Sequence, residues 1–207
     1  MWRAVLFDFG GVITSSPFEA FASYEARIGL PAGFIRGLNA RAAHDNAWAR
    51  LERSDIGIDE FVELFEAEAR AAGGELDGVE VLACLRGELR PRMVAAVQTC
   101  ATRFTTAILT NNFLTGDDEW SATGAFADVA AAVDVVVESS RVGCRKPEPR
   151  FYELALAEVG VEPGEAVFLD DLGVNLRPAR ELGMATIKVV DPDAAMDELG
   201  ALLGLDL

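Results

Sequence analysis

Histidine occurs once in this chain, at position 44. One imidazole leaves no ready way to build a Ser-His-Asp triad or a histidine-rich metal site. Cysteine is nearly as scarce. Cys84, Cys100 and Cys144 form no CxxC pair and no metal-ligand spacing, and the odd, scattered set reads as reduced thiols in a cytoplasmic protein. Cys84 and Cys100 read as small buried hydrophobes, while Cys144 stands before the basic pair Arg145-Lys146, which leaves room for thiol reactivity. Positive charge is short as well: 18 Lys plus Arg face 34 Asp plus Glu, a net charge of −16. Such a surface repels nucleic acid and anionic lipid, so neither is expected as a partner. An anionic substrate would need a local positive spot or a metal ion. No apolar run approaches the roughly 20 residues of a membrane helix. Met1-Trp2-Arg3 runs straight into a strand pattern, so no targeting segment is expected.

What the chain does have is apolar mass. Hydrophobic residues make up 51% of 207 positions, enough for a sizeable core and against disorder. Continuous apolar runs recur at Val5–Phe7, Thr105–Thr110, Asp134–Val137, Ala166–Asp170 and Ala185–Val190. Runs without alternation suit parallel strands covered on both faces. Helical patterns at Pro91–Arg103, Phe151–Val159, Val174–Leu182 and Pro192–Leu203 separate the later strands. The alternation predicts an α/β fold with a doubly wound parallel sheet.

Between Thr14 and about Glu88 no strand is convincing. Amphipathic helices are expected at Phe18–Ile28, Gly33–Ala43 and Ile58–Ala72, the last opened by Asp59-Glu60 and closed by Gly73-Gly74. The economical division is a core of 1–13 and 89–207 with a helical insertion, 14–88, standing over the strand ends as a lid. The plainer reading is that these helices pad the sheet.

The chemistry concentrates at strand ends. Asp8 closes the first strand and is followed by Gly10-Gly11. Thr110-Asn111-Asn112 closes the second, Lys146-Pro147 stands at a helix start, and Asp170-Asp171 closes a later strand. In a parallel sheet these four segments share one edge, where open α/β sheets bind ligands. A carboxylate nucleophile, further carboxylates for a hard Mg²⁺, and a hydroxyl and a lysine for phosphoryl oxygens together suit phosphoryl transfer. Taken singly, Thr110 reads equally well as a strand-end cap, and Lys146 as a solvated surface residue.

In order, spacing and type, Phe7-Asp8-Phe9-Gly10-Gly11-Val12, Leu109-Thr110-Asn111-Asn112-Phe113, Lys146-Pro147-Glu148-Pro149 and Phe168-Leu169-Asp170-Asp171-Leu172-Gly173-Val174-Asn175-Leu176 resemble the haloacid dehalogenase superfamily, over essentially the whole chain. The insertion resembles the family's C1 cap. Within the family the likeness is greatest to the phosphatase-like domains at the N-terminus of soluble epoxide hydrolase and of acyl-CoA dehydrogenase family member ten, and it extends to Trp48-Ala49-Arg50-Leu51-Glu52 and Phe61. The resemblance implies a Rossmann-like core, a small-molecule phosphate ester as substrate and Mg²⁺ as cofactor. It implies Asp8 as nucleophile and metal ligand, Thr110, Asn111 (through its backbone) and Lys146 at the phosphoryl group, and Asp170, Asp171 and the Gly10 carbonyl completing the metal site. One position departs from the pattern: the family's second aspartate, a general acid and base, is Gly10 here. General acid–base help is worth about 10²–10⁴-fold. His44, Asp45, Arg41 and Glu52 are candidates to replace it. Two other readings stand beside the phosphatase: a metal-independent dehalogenase, against which the Asp170-Asp171 pair argues, and a binding or regulatory domain with a disabled site. Oligomeric state is not legible.

Overall fold

The structure is a computed structural model and describes residues 1–113 and 124–207. Five parallel strands, β1 (Ala4–Phe7), β2 (Thr105–Thr110), β3 (Val135–Glu138), β4 (Ala166–Asp170) and β5 (Ala185–Lys188), form one sheet in the order β3-β2-β1-β4-β5. The expected doubly wound sheet is therefore present. β1 is central, with Phe7 in register with Ile108 of β2 and Leu169 of β4.

The four residues of β1 are all buried because each face of the sheet is covered. Val5 and Phe7 point into one layer with Met93 and Val97 of α6 (Pro91–Ala101) and Met196 and Leu199 of α11 (Pro192–Leu203). Ala4 and Leu6 point into the other, with Phe151 and Tyr152 of α9 (Pro149–Val159) and Leu176 and Ala179 of α10 (Gly173–Leu182). This double burial is why the strands read as unbroken apolar runs. Asp134, expected as the first residue of β3, lies just outside it. Its carboxylate accepts the Thr106 amide at 2.8 Å, so it ties the edge strand to its neighbour.

Residues 17–83 fold into five helices: α1 (Pro17–Ile28), α2 (Phe34–Ala40), α3 (Ala47–Glu52), α4 (Ile58–Ala71) and α5 (Gly78–Ala83). They build a third apolar cluster around Phe21, Trp48, Phe61 and Phe65. The chain enters and leaves this part through two adjacent segments. Thr14 and Leu89 form an antiparallel bridge, and the Ser15 amide donates to the Glu88 carbonyl at 2.8 Å. The helix expected over Gly33–Ala43 stops at Ala40. Asn46 takes its last carbonyls, donating to Asn39 and Arg41 at 3.1 and 2.9 Å while its own Oδ1 caps α3. Helices α3 and α5 have six residues each, too few for a periodic signal, and the sequence reading passed over both.

Two short helices complete the fold, α7 (Gly124–Ala130) and α8 (Ser139–Val142). Lys146 was expected at a helix start. It lies instead in the loop between α8 and α9, three residues before Pro149 opens α9, and its peptide with Pro147 is cis.

Candidate active site

Asp8, Thr110 and Asp170 are set at the C-terminal ends of the three central strands. Asp8 follows β1, and its amide still pairs with the Leu169 carbonyl at 2.8 Å. Past Asp8 the chain turns sharply through Phe9–Ile13, with Gly11 at φ +84°. A side chain at Gly11 would run into the Asp171 carboxylate, so two constraints select glycine there. Gly10 is different. Its φ of −73° is open to any residue, and a Cβ there would meet nothing within 4 Å.

Lys146 is 1% exposed and lies between two carboxylates. Its Nζ is 2.7 Å from Asp8 Oδ1 and 2.9 Å from Asp170 Oδ2. The surface-lysine reading of this residue is therefore excluded. Burial alone would lower its pKa, but the charges of Asp170 and Asp8 outweigh that and hold the ammonium above its ordinary range. Asp8 Oδ1 also accepts the Phe9 amide at 2.7 Å, so the two oxygens of this carboxylate are held differently. Burial pushes the Asp8 carboxyl well up, Lys146 opposes it, and Asp170 adds to the rise.

Asp170 is fully buried and accepts from the Leu172 amide, both ways from the Asn175 amide, and from Lys146. Asn175 was not singled out by the sequence reading. Its place five residues after Asp170, in the first turn of α10, is the signal that could have found it. Asp171 is half-exposed, and its carboxylate accepts no hydrogen bond from another described residue. Burial, and then the charge of Asp170, raise it to about 6. Oxygens of Asp8, Asp170 and Asp171 lie within 4.8 Å of one another. With three carboxylates ionised and one ammonium, the group carries two net negative charges. The donor set is hard, oxygen-only and short of positive charge, which fits a divalent cation such as Mg²⁺.

Thr110 is buried at the end of β2, and its hydroxyl makes no hydrogen bond with a described residue. The Asn111 side chain brackets the Lys146 backbone. Its Oδ1 accepts the Lys146 amide at 2.9 Å and its Nδ2 donates to the Lys146 carbonyl at 3.0 Å. Asn112 closes the rim by donating to Glu138 at 2.5 Å and accepting from the Ser140 hydroxyl at 2.7 Å.

The candidates for a replacement acid fare differently. His44, Asp45 and Arg41 are exposed. Glu52 is buried and occupied by three donors: Trp48 Nε1 at 2.9 Å, Asn111 Nδ2 at 3.0 Å and Arg145 Nε. Cys144 is buried, and burial raises its thiol, with Glu148 adding to the rise. The neighbouring positive charges serve Glu52, Asp8 and Asp170 instead, so no activated thiol results.

A family model described as a haloacid dehalogenase-like hydrolase matches residues 2–183. Acyl-CoA dehydrogenase family member 10 of Mus musculus is 37% identical over 213 residues, covering 100% of this chain and 20% of that protein. Bifunctional epoxide hydrolase 2 of Sus scrofa is 34% identical over 222 residues, covering 99% of this chain and 39% of that protein. The chain thus spans well under half the length of either relative. Two further relatives are named as phosphatases. One, from Mycobacterium tuberculosis, is 29% identical over 87% of this chain and 84% of its own length. The other, a sesquiterpene phosphatase of Aspergillus oryzae, is 24% identical over 98% and 97%. Among solved structures, a haloacid dehalogenase family enzyme of Bacteroides thetaiotaomicron in complex with magnesium and inorganic phosphate shares the fold. Its TM-score is 0.60 at 19% identity, over 91% of this chain and 94% of that one.

Proposed function

The chain belongs to the haloacid dehalogenase-like hydrolase family, and from that footing we propose that it is a Mg²⁺-dependent phosphatase acting on a small-molecule phosphate monoester through an aspartyl-phosphate. The observation that carries the reading is the asymmetric pairing of Asp8. One oxygen is held by Lys146 and the Phe9 amide, which leaves the other free to attack. The phosphatase names among the relatives support it.

In the proposed reaction the free Asp8 oxygen forms a bond to phosphorus as the ester P–O bond breaks. The leaving oxygen takes its proton from water, since Gly10 has none to give. Lys146, the Thr110 hydroxyl and the Asn111 backbone N–H hold the phosphoryl oxygens as their charge grows. A water then cleaves the acyl phosphate, giving inorganic phosphate and restoring the carboxylate. Asp8, Asp171 and the Gly10 carbonyl would hold Mg²⁺, with Asp170 beside them. The ion, when bound, neutralises phosphate charge and draws substrate into an acidic molecule. Because Leu172, Asn175 and Lys146 already make four hydrogen bonds to the two oxygens of Asp170, its main part is to fix Lys146. Residues 14–88 act as a lid that excludes water and selects the substrate.

The test is hydrolysis of an activated aryl phosphate with Mg²⁺ and with EDTA, by the parent and by Asp8→Asn. Turnover that needs Mg²⁺ and vanishes in the Asn variant is expected. Full activity in EDTA or in the variant would overturn the reading.

A further inference from the structure

Among the described residues, Glu52 is the carboxylate of the helical insertion that hydrogen-bonds Asn111 and Arg145, in the loops after β2 and before Lys146. It is 8% exposed and sits at the C-terminal end of α3. Its Oε1 accepts Trp48 Nε1 at 2.9 Å, and its Oε2 accepts Asn111 Nδ2 at 3.0 Å and Arg145 Nε. Asn111 in turn brackets the Lys146 backbone on both its N–H and its C=O. A line of contacts therefore runs from the insertion, through Glu52 and Asn111, to the lysine that touches Asp8 and Asp170.

We propose that Glu52 is a positioning residue that sets the Asn111 clamp and thereby the reach of Lys146, so that the helical insertion completes the site only when α3 is docked. The inference rests on the phosphatase reading for its catalytic consequence, but not for its structural one.

The chemistry of the clamp explains why a carboxylate is needed. The Asn111 amide must present Oδ1 to the Lys146 N–H and Nδ2 to its carbonyl. A flip by 180° would break both bonds. Glu52 accepts from Nδ2 alone and so enforces the one useful orientation. It also draws off the Arg145 guanidinium, which otherwise stands next in sequence to Lys146 and would compete for Asp8 and Asp170. Arg145 is further tied to the insertion by its bond to the Ala43 carbonyl at 3.1 Å. Loss of the Glu52 charge would release both restraints at once. Other links between insertion and core lack this reach. Arg53 pairs with Glu148 at 3.2 Å and Ser54 donates to the Ser140 carbonyl at 3.0 Å, but neither touches Asn111 or Lys146.

The chain offers an unusually clean probe, because it has two lysines, Lys146 and Lys188. Lys146 is buried and Lys188 is exposed. Labelling with an amine-acylating reagent, read by peptide mass spectrometry, gives the accessibility of Lys146 against Lys188 as an internal standard. In Glu52→Gln, Lys146 should label faster by about tenfold through local opening. Turnover of an aryl phosphate should fall by roughly 10–100-fold in kcat with little change in KM, as expected when a transition-state contact is misplaced. Trp48→Phe, which removes one donor to Glu52 and keeps the packing, should move both readouts the same way by less. It also serves if Glu52→Gln fails to fold. Arg53→Gln, which breaks a different link of the insertion, should change neither. Unchanged Lys146 labelling in the Glu52 and Trp48 variants would overturn the proposal. So would an equal effect of Arg53→Gln, since the insertion would then act as a whole. A parent protein without turnover whose Lys146 labelling still responds to Glu52 would refute the phosphatase reading and leave the positioning role standing.

Discussion

Two adjacent glycines in one turn have opposite tolerances. Gly11, at φ +84° and against the Asp171 carboxylate, admits no side chain without displacing a ligand of the proposed metal. Gly11→Ala should cost about 2–4 kcal/mol, measured by denaturant unfolding, and abolish Mg²⁺ binding. Gly10 faces open space at φ −73°, so Gly10→Asp should fold normally. In the parent, turnover should fall steeply as the leaving group becomes a poorer one, because alkyl and sugar phosphates need a proton that aryl phosphates do not. Gly10→Asp should raise alkyl relative to aryl turnover by about 10–100-fold. Rapid-quench kinetics over a series of esters would show it, together with a shorter-lived aspartyl-phosphate. A shallow slope in the parent, unmoved by the substitution, would mean another group already gives the proton. Asp171 adds a pH dependence. Burial and the Asp170 charge raise it from 3.8 to about 6, so between those values the folded protein binds more protons than the unfolded one. Stability must then fall as pH rises through that window, by an amount on the order of 1–2 kcal/mol after solvent screening. Mg²⁺ should restore it. The thermal shift on adding Mg²⁺ should therefore be larger at pH 7.5 than at pH 5, and an equal shift would separate Asp171 from the metal.

Elements decide how these residues meet. Strand ends are held by side chains that join one strand to the next, and Asn112 does most of this between β2 and β3. Its side chain bonds Glu138 and Ser140, and its backbone N–H and C=O bond the Ser139 hydroxyl, all of them buried. Asn112→Ala should cost about 2–4 kcal/mol, because the buried Ser140 N–H and hydroxyl lose their common acceptor and Glu138 loses one of its donors. A melting curve near that of the parent would show that the rim holds without it. The strands were legible in sequence because burial on both faces leaves an uninterrupted apolar signature, and β2 and β4 have the expected bounds. Asp8, Thr110, Asp170 and Asp171 stood out because chemistry-bearing residues interrupt apolar runs at their ends, whereas Lys146 ends no such run and stood out only through the family pattern. The parts that sequence left hidden depend on contacts between distant segments. Nothing local marks Glu52 as a partner of Asn111, 59 residues away, and nothing local turns Arg145 from Cys144 toward it. Helices as short as α3, α5 and α8 leave no period to read; they are set by caps such as Asn46 and Asp77.

The molecule as a whole joins two apolar bodies through a narrow passage. The cluster around Trp48 and Phe61 packs mainly within residues 18–85 and takes Phe113 from the loop after β2. The two connecting segments run side by side at Thr14 and Leu89. Replacing residues 15–87 by a short linker should therefore leave a core that folds and still binds Mg²⁺, with substrate discrimination lost. A truncated core that ranks a panel of phosphate esters as the parent does would reduce the insertion to padding. The sheet order has a further consequence, for biosynthesis. β1 is made before the other four strands of the sheet, and the residue that follows it is Asp8. Its partners begin at Thr105 and Ala166, so the central strand is bordered on both sides only after about 160 further residues have been added. The helices that follow β1 pack largely on one another and can settle while translation continues. A nascent chain arrested near residue 150 should thus hold a folded helical body beside a central strand still open on the side that β4 will fill, protease-resistant in the first and accessible in the second. The earliest-made residue of the site would be among the last to find its place.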